Sequence, residues 1–138
     1  MPEQVVKAVH RLDRDTSGCQ IFTLSSDAWE AMVELLRARE VEKIYHAIVI
    51  GAVKENAFSI QKRLDGKEAI SRVKALKHLG PRKSSAQLTL VEVEIETGRT
   101  HQIRKHLHSI NFPILGDKQY FSKSSQRPEF RNAERQML

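Results

Sequence analysis

Between residues 86 and 96 apolar and polar side chains alternate, with Leu88, Leu90, Val91, Val93 and Ile95 interleaved with Thr89, Glu92 and Glu94. A period of two sends successive side chains to opposite faces, so this stretch reads as a half-buried strand, one face on a core and the other toward water. Such a strand needs neighbours, and the chain supplies them. Residues 43–50, rich in Ile, Val and Tyr, form a strand stopped by Gly51. Shorter strands are expected at residues 20–24, 57–60 and 69–77, with a hairpin-type turn at Leu64-Asp65-Gly66-Lys67 between the last two.

Two segments have the other period. Trp29, Met32, Val33, Leu35 and Leu36 recur three and four residues apart, which predicts a helix over residues 28–39 with Ser25, Ser26 and Asp27 as its capping region. Core packing accounts for that apolar stripe, and no partner helix is required. A second helix is expected from His101 to Ser109, capped by Thr100 after the break at Thr97-Gly98-Arg99 and ended by Asn111-Phe112-Pro113. Residues 78–85 form a basic, turn-rich connection, and the polar stretch from Ser122 to Glu134 is expected to be loosely ordered. Short strands in hairpin order with few helices predict an α+β fold: a mixed, mainly antiparallel bent sheet with a few flanking helices, in one domain over residues 1–138.

Charge narrows the partner. Lys and Arg total 23 against 17 acidic residues, a formal net charge of +6, which favours a polyanion. The single Cys19 can form no intramolecular disulfide, and no Cys pair has zinc spacing; it is expected to be a small buried apolar residue. There is no long apolar signal segment and no run of about 18 apolar residues, so a soluble, intracellular, cytoplasmic protein with no membrane partner is expected. No helix-turn-helix or zinc pattern points to DNA. His101, His106 and His108 lack an accompanying carboxylate or Cys at ligand spacing, so no metal site is expected.

The chemistry is concentrated in His10-Arg11-Leu12-Asp13-Arg14-Asp15-Thr16-Ser17-Gly18, a polar turn-forming stretch just ahead of the apolar run Ile21-Phe22-Thr23-Leu24. It reads as a loop feeding a strand, the kind of place where reactive groups sit on a scaffold. Asp13 and Asp15 lie between Arg11 and Arg14, an arrangement suited to aiming a carboxylate; a solvated, charge-balanced turn is the plain alternative.

This nine-residue stretch resembles the signature of the RluA-type RNA pseudouridine synthases. Three further segments fall in the family's order: Lys43-Ile44-Tyr45-His46-Ala47, Gly98-Arg99-Thr100-His101-Gln102-Ile103-Arg104, and Pro113-Ile114-Leu115-Gly116-Asp117-Lys118-Gln119-Tyr120. The resemblance spans residues 10–120. It implies an enzyme that isomerises uridine in structured ribosomal or transfer RNA, on a pseudouridine synthase-like catalytic domain, with no cofactor. By resemblance Asp13 is the nucleophile, attacking either the sugar or the base, with Asp15 as the rival; Arg104 is the cation that keeps it ionised, and Tyr45 stacks on the base or moves a proton. Arg11, beside Asp13, is expected to fill the vacancy left by a flipped-out nucleotide. Arg14, Arg99, His101, Lys105 and Lys118 are expected to bind RNA, with Arg82, Lys83 and Lys123 as further phosphate contacts.

The chain departs from the family pattern in three ways. The family's domains extend further at both ends, which would leave a sheet edge open to another chain. Cys19-Gln20 replaces an aliphatic pair after Gly18, bearing on the packing beneath the loop. No separate RNA-binding domain of S4 type is expected. A catalytically silent RNA-binding module on the same scaffold is therefore the competing reading, and the oligomeric state is open.

Overall fold

A computed structural model describes residues 6–80 and 86–138. The connection expected at residues 78–85, with Arg82 and Lys83, lies largely outside the described residues. The chain divides into two compact units, Met1–Glu42 and Lys43–Leu138.

In the first unit, β1 (Lys7–Ala8) pairs antiparallel with β2 (Phe22–Thr23), in the register Lys7 to Thr23 and Ala8 to Phe22. The strand expected over residues 20–24 is thus shortened to Phe22–Thr23, since the paired stretch of β1 is itself two residues long and Ser25 begins the next element. Helix α1 (Ser26–Arg37) starts at Ser25, whose hydroxyl accepts a bond from the Ala28 N–H at 3.2 Å. Trp29 ties the helix to β1 through Nε1–H donating to the Ala8 carbonyl at 3.0 Å. The apolar stripe is less covered than expected. No α1 residue is buried, Trp29, Met32, Val33 and Leu36 are half-buried, and Leu35 is exposed. Two strands of two residues offer too little apolar surface to cover a twelve-residue helix.

The second unit is a four-stranded antiparallel sheet in the order β3-β6-β5-β4, from β3 (Ile44–Ile50), β4 (Ala57–Ile60), β5 (Ser71–Leu79) and β6 (Leu88–Ile95). All pairings between described strands are antiparallel. The alternation in β6 is expressed as expected: Thr89, Val91, Val93 and Ile95 are buried and the residues between them half-buried. Strand β5 runs to Leu79 because a bulge at Leu76 lets the ladder resume at Lys77 opposite Leu90. The Leu64-Asp65-Gly66-Lys67 turn forms as expected, with Leu64 and Lys67 bonded in both directions and both Asp65 and Gly66 at positive φ.

Helix α2 (Gln102–Ser109) contributes Ile103 and Leu107 to the core formed with Ala47, Val49, Val73, Val91, Val93 and Ile95. The outer edge of β3 is closed by later chain. The Ile50 N–H donates to the Pro113 carbonyl, the Leu115 N–H to the Ile48 carbonyl, and the Ile48 N–H to the Met137 carbonyl. The stretch from Ser122 onward, expected to be loose, contains two short 3-10 turns, Lys123–Gln126 and Pro128–Phe130, and buries Phe130.

Candidate active site

In the first unit the signature residues form a loop tied at its base. The Val9 N–H donates to the Ile21 carbonyl at 2.9 Å, the Ile21 N–H to His10 Nε2 at 3.1 Å, and Gln20 Nε2 to the His10 carbonyl at 2.9 Å. Gln20, unusual for the family pattern, is therefore a fastener. Cys19 does not pack inward as expected but is exposed, since polar bonds rather than apolar burial close the loop. Within the loop the Thr16 N–H donates to the Asp13 carbonyl at 3.0 Å, forming a tight turn. Asp13 is half-buried there, and Arg11, Arg14 and Asp15 are exposed.

In the second unit, Tyr45 is half-buried in β3, directly opposite Val93, which in turn pairs with Val73. That row lies on the core face of the sheet, the face against which Ile103 and Leu107 of α2 pack. The helix does not begin as expected. Its first flanking residue is His101 in the left-handed conformation, and no side chain caps it, so Thr100 has no capping role. The fastening is done by Gln102, which is buried. Its Oε1 accepts from the Thr97 hydroxyl at 2.6 Å and the Arg99 N–H at 3.1 Å, while its Nε2 donates to the Ile70 carbonyl at 2.9 Å and Ser71 Oγ at 3.0 Å. One amide thus locks the approach to α2 onto β5.

Arg104 is buried and held by Asp117. Nε lies 2.7 Å from Oδ2 and Nη2 3.0 Å from Oδ1, with the Asp117 side chain fully buried. The Tyr120 ring lies against the guanidinium at 4.9 Å, and the Tyr120 hydroxyl is 2.9 Å from His101 Nδ1. Burial alone would raise the Asp117 carboxyl, but the hydrogen bond from Arg104 and the N–H groups of Tyr120 and Gln119 hold it below the usual carboxylate range. Arg99 Nε donates to the Glu68 carbonyl at 2.8 Å, Lys105 pairs with Asp65 at 3.1 Å, and Lys118 is exposed.

Beneath these groups His106 is fully buried, with Nδ1 2.8 Å from Ser71 Oγ and Nε2 2.9 Å from the Lys62 carbonyl. A carbonyl only accepts, so Nε2 carries the proton and Nδ1 accepts from the Ser71 hydroxyl, which in turn accepts from Gln102. Burial lowers the His106 pKa, and the charge on Lys62 adds to this, against the raising effect of the Lys62 carbonyl. No cluster of three or more His, Cys, Asp or Glu suited to a metal occurs among the described residues.

Sequence reasoning placed Asp13 in a loop, Tyr45 on a strand and Arg104 on a helix. It gave no role to Asp117, Tyr120, Gln102 or Gln20. The sequence marked Asp117 only as a lone carboxylate next to Gly116 in a segment already matched to the family, and did not name Arg104 as its partner.

The chain matches the family described as RNA pseudouridylate synthase over residues 2–109. An uncharacterized RNA pseudouridine synthase of Aquifex aeolicus is 37% identical over 135 residues, covering 88% of this chain and 42% of that protein. Ribosomal large subunit pseudouridine synthase D of Xanthomonas campestris is 36% identical over 125 residues, covering 81% of this chain and 36% of that protein. The chain therefore spans about two fifths of the length of these curated relatives. The solved structure of human RNA pseudouridylate synthase domain containing 1 shares the fold, with a TM-score of 0.82 at 23% identity over 96% of this chain and 61% of that one. With the ordered segments and the fold in agreement, the chain belongs to the RNA pseudouridylate synthase family.

Proposed function

We propose that the protein converts uridine to pseudouridine in structured RNA, with Asp13 as the nucleophile. Asp13 bonds to the sugar or to the base, and that bond is broken again before release. The bond from C1′ of the ribose to N1 of uracil breaks, the freed base turns, C1′ bonds to C5, the C5 proton leaves to water and N1 takes up a proton in its place. Atoms and electrons balance without an oxidant or reductant, so a carboxylate and proton-moving groups suffice. Arg104 is the cation that keeps the nucleophile ionised, and Tyr45 meets the base through its ring or hydroxyl. Arg11 occupies the space vacated by the flipped nucleotide. Arg14, Arg99, His101, Lys105 and Lys118 contact RNA. Ribosomal RNA is the favoured substrate, following the name of the Xanthomonas campestris relative, with transfer RNA second.

The observation that carries this reading is the tied loop: a half-buried Asp13 at the head of a turn, with the loop ends bonded through His10 and Gln20. The test uses ribosomal and transfer RNA transcripts tritiated at uridine C5, since forming the new carbon-carbon bond releases that label. Release by the wild-type chain and none by Asp13→Asn is the expected result. Binding without release by either protein would identify an RNA-binding module, and release by Asp13→Asn would move the nucleophile elsewhere, first to Asp15.

A further inference from the structure

We propose that Asp117 and Tyr120 are positioning residues for Arg104, acting on the reaction only through the guanidinium. The inference rests on the function proposed above and extends it to two side chains outside the nucleophile loop.

A long Arg side chain is flexible, and a cation that must meet a carboxylate in one geometry needs its plane fixed. Asp117 fixes the edge. Its two oxygens take Nε and Nη2 of Arg104 at 2.7 and 3.0 Å, the parallel two-point arrangement that defines the guanidinium plane. Asp117 is itself immobilised, because Oδ1 also accepts from the backbone N–H groups of Gln119 and Tyr120, each at 2.9 Å. Tyr120 fixes the face, its ring lying 4.9 Å from the guanidinium carbon. The ring is anchored in turn where its hydroxyl meets His101 Nδ1, on a residue held at φ 54° one position before α2. Strained backbone of this kind persists where its surroundings dictate it, commonly at functional sites.

Stability alone does not account for this arrangement. A buried ion pair returns in attraction about what its desolvation costs, so two apolar side chains would hold α2 to the 116–120 turn equally well. The pair also alters the charge that Arg104 presents. With Asp117 neutralising it along one edge, the guanidinium offers oriented donors without a full unit of positive charge, which aligns a carboxylate while leaving it nucleophilic.

The experiment measures kcat and KM for tritium release from an unmodified ribosomal RNA transcript labelled at uridine C5, with a thermal melt of each protein. Asp117→Asn keeps the shape of the side chain and removes its charge. A loss of about 100-fold in kcat with KM within about twofold is expected, the usual consequence of an ångström-scale misplacement. The discriminating comparison is with Arg104→Gln and with the double variant Arg104→Gln/Asp117→Asn. The double variant should recover melting temperature over Arg104→Gln, since no lone buried charge remains, yet be no slower than that single variant. Tyr120→Leu, at a half-buried position that leaves the ion pair intact, should cost about tenfold in kcat and keeps the test usable if Asp117→Asn does not fold.

A folded Asp117→Asn within about threefold of wild-type kcat would overturn the proposal, as would losses that multiply in the double variant. The underlying function has its own control: wild-type release that depends on Asp13 but ignores Asp117 and Tyr120 sinks only the positioning role. No release by wild type from this transcript or from a transfer RNA transcript labelled in the same way sinks both.

Discussion

Both ring nitrogens of His106 are committed, one to Ser71 and one to the Lys62 carbonyl, and the ring has no exposed surface. A second proton, on Nδ1, would force the Ser71 hydroxyl to turn its hydrogen away and would place a charge in the core. The folded pKa is therefore lowered from the ordinary 6.5, chiefly by burial. Below about pH 6.5 the unfolded chain binds protons that the folded chain refuses, so this group's contribution is complete above that pH and is lost as pH falls toward the folded value. The melting temperature should drop between pH 6.5 and 5, and His106→Gln should flatten that drop while destabilising at pH 8 by about 1–3 kcal/mol for each polar group left unpaired. An unchanged slope in the variant would assign the acid sensitivity elsewhere. Asp117 acts in a separate window. Its lowered pKa, set by Arg104 and two backbone amides against the raising effect of burial, withdraws stability only below the ordinary carboxylate value of 3.8. Neither partnership was legible in the sequence, because each joins a helix residue to groups brought beside it by the fold; His106 lies 35 residues from Ser71 and 44 from the Lys62 carbonyl.

At the scale of elements, the 113–120 segment has the tightest steric requirement. Its Gly116 has φ 79°, and a Cβ there would stand 2.0 Å from the Arg135 carbonyl oxygen and 2.7 Å from its carbon. The left-handed conformation alone costs a non-glycine residue about 1–2 kcal/mol, and the overlap is with backbone that must move bodily. Gly116→Ala should therefore destabilise by more than about 2 kcal/mol and speed amide exchange over residues 133–138. Gly98→Ala is the control, since a Cβ at Gly98 meets nothing within 4 Å and its φ is not strained. Equal melting temperatures for the two variants would refute the close approach at residue 116. Elements with a clear period were readable: the β6 alternation, the α1 stripe and the Asp65-Gly66 turn all formed. What the stripe did not say is how much of it would be covered, because burial depends on the area that other segments present.

For the molecule as a whole, the excess of 23 basic over 17 acidic residues bears on RNA association more than on fold. If Arg14, Arg99, Lys105 and Lys118 meet phosphates, raising salt from about 50 to about 200 mM should weaken RNA binding by roughly 100-fold, through counterion release. Filter binding over that range checks it, and a change below about threefold would remove these residues from the interface. The sequence by itself determined the local elements and the family, because both are written in short-range spacing: periods of two and 3.6, turn residues, and four ordered segments. Only the tertiary structure decided that Asp117 holds Arg104 across 13 residues, that Gln102 ties Thr97 to β5, and that Gly116 lies against Arg135. The physical reason is common to all three. Hydrogen-bond direction, burial and steric contact between distant segments exist only once the sheet and helix have packed, and no spacing along the chain encodes which polar groups will then be left facing each other.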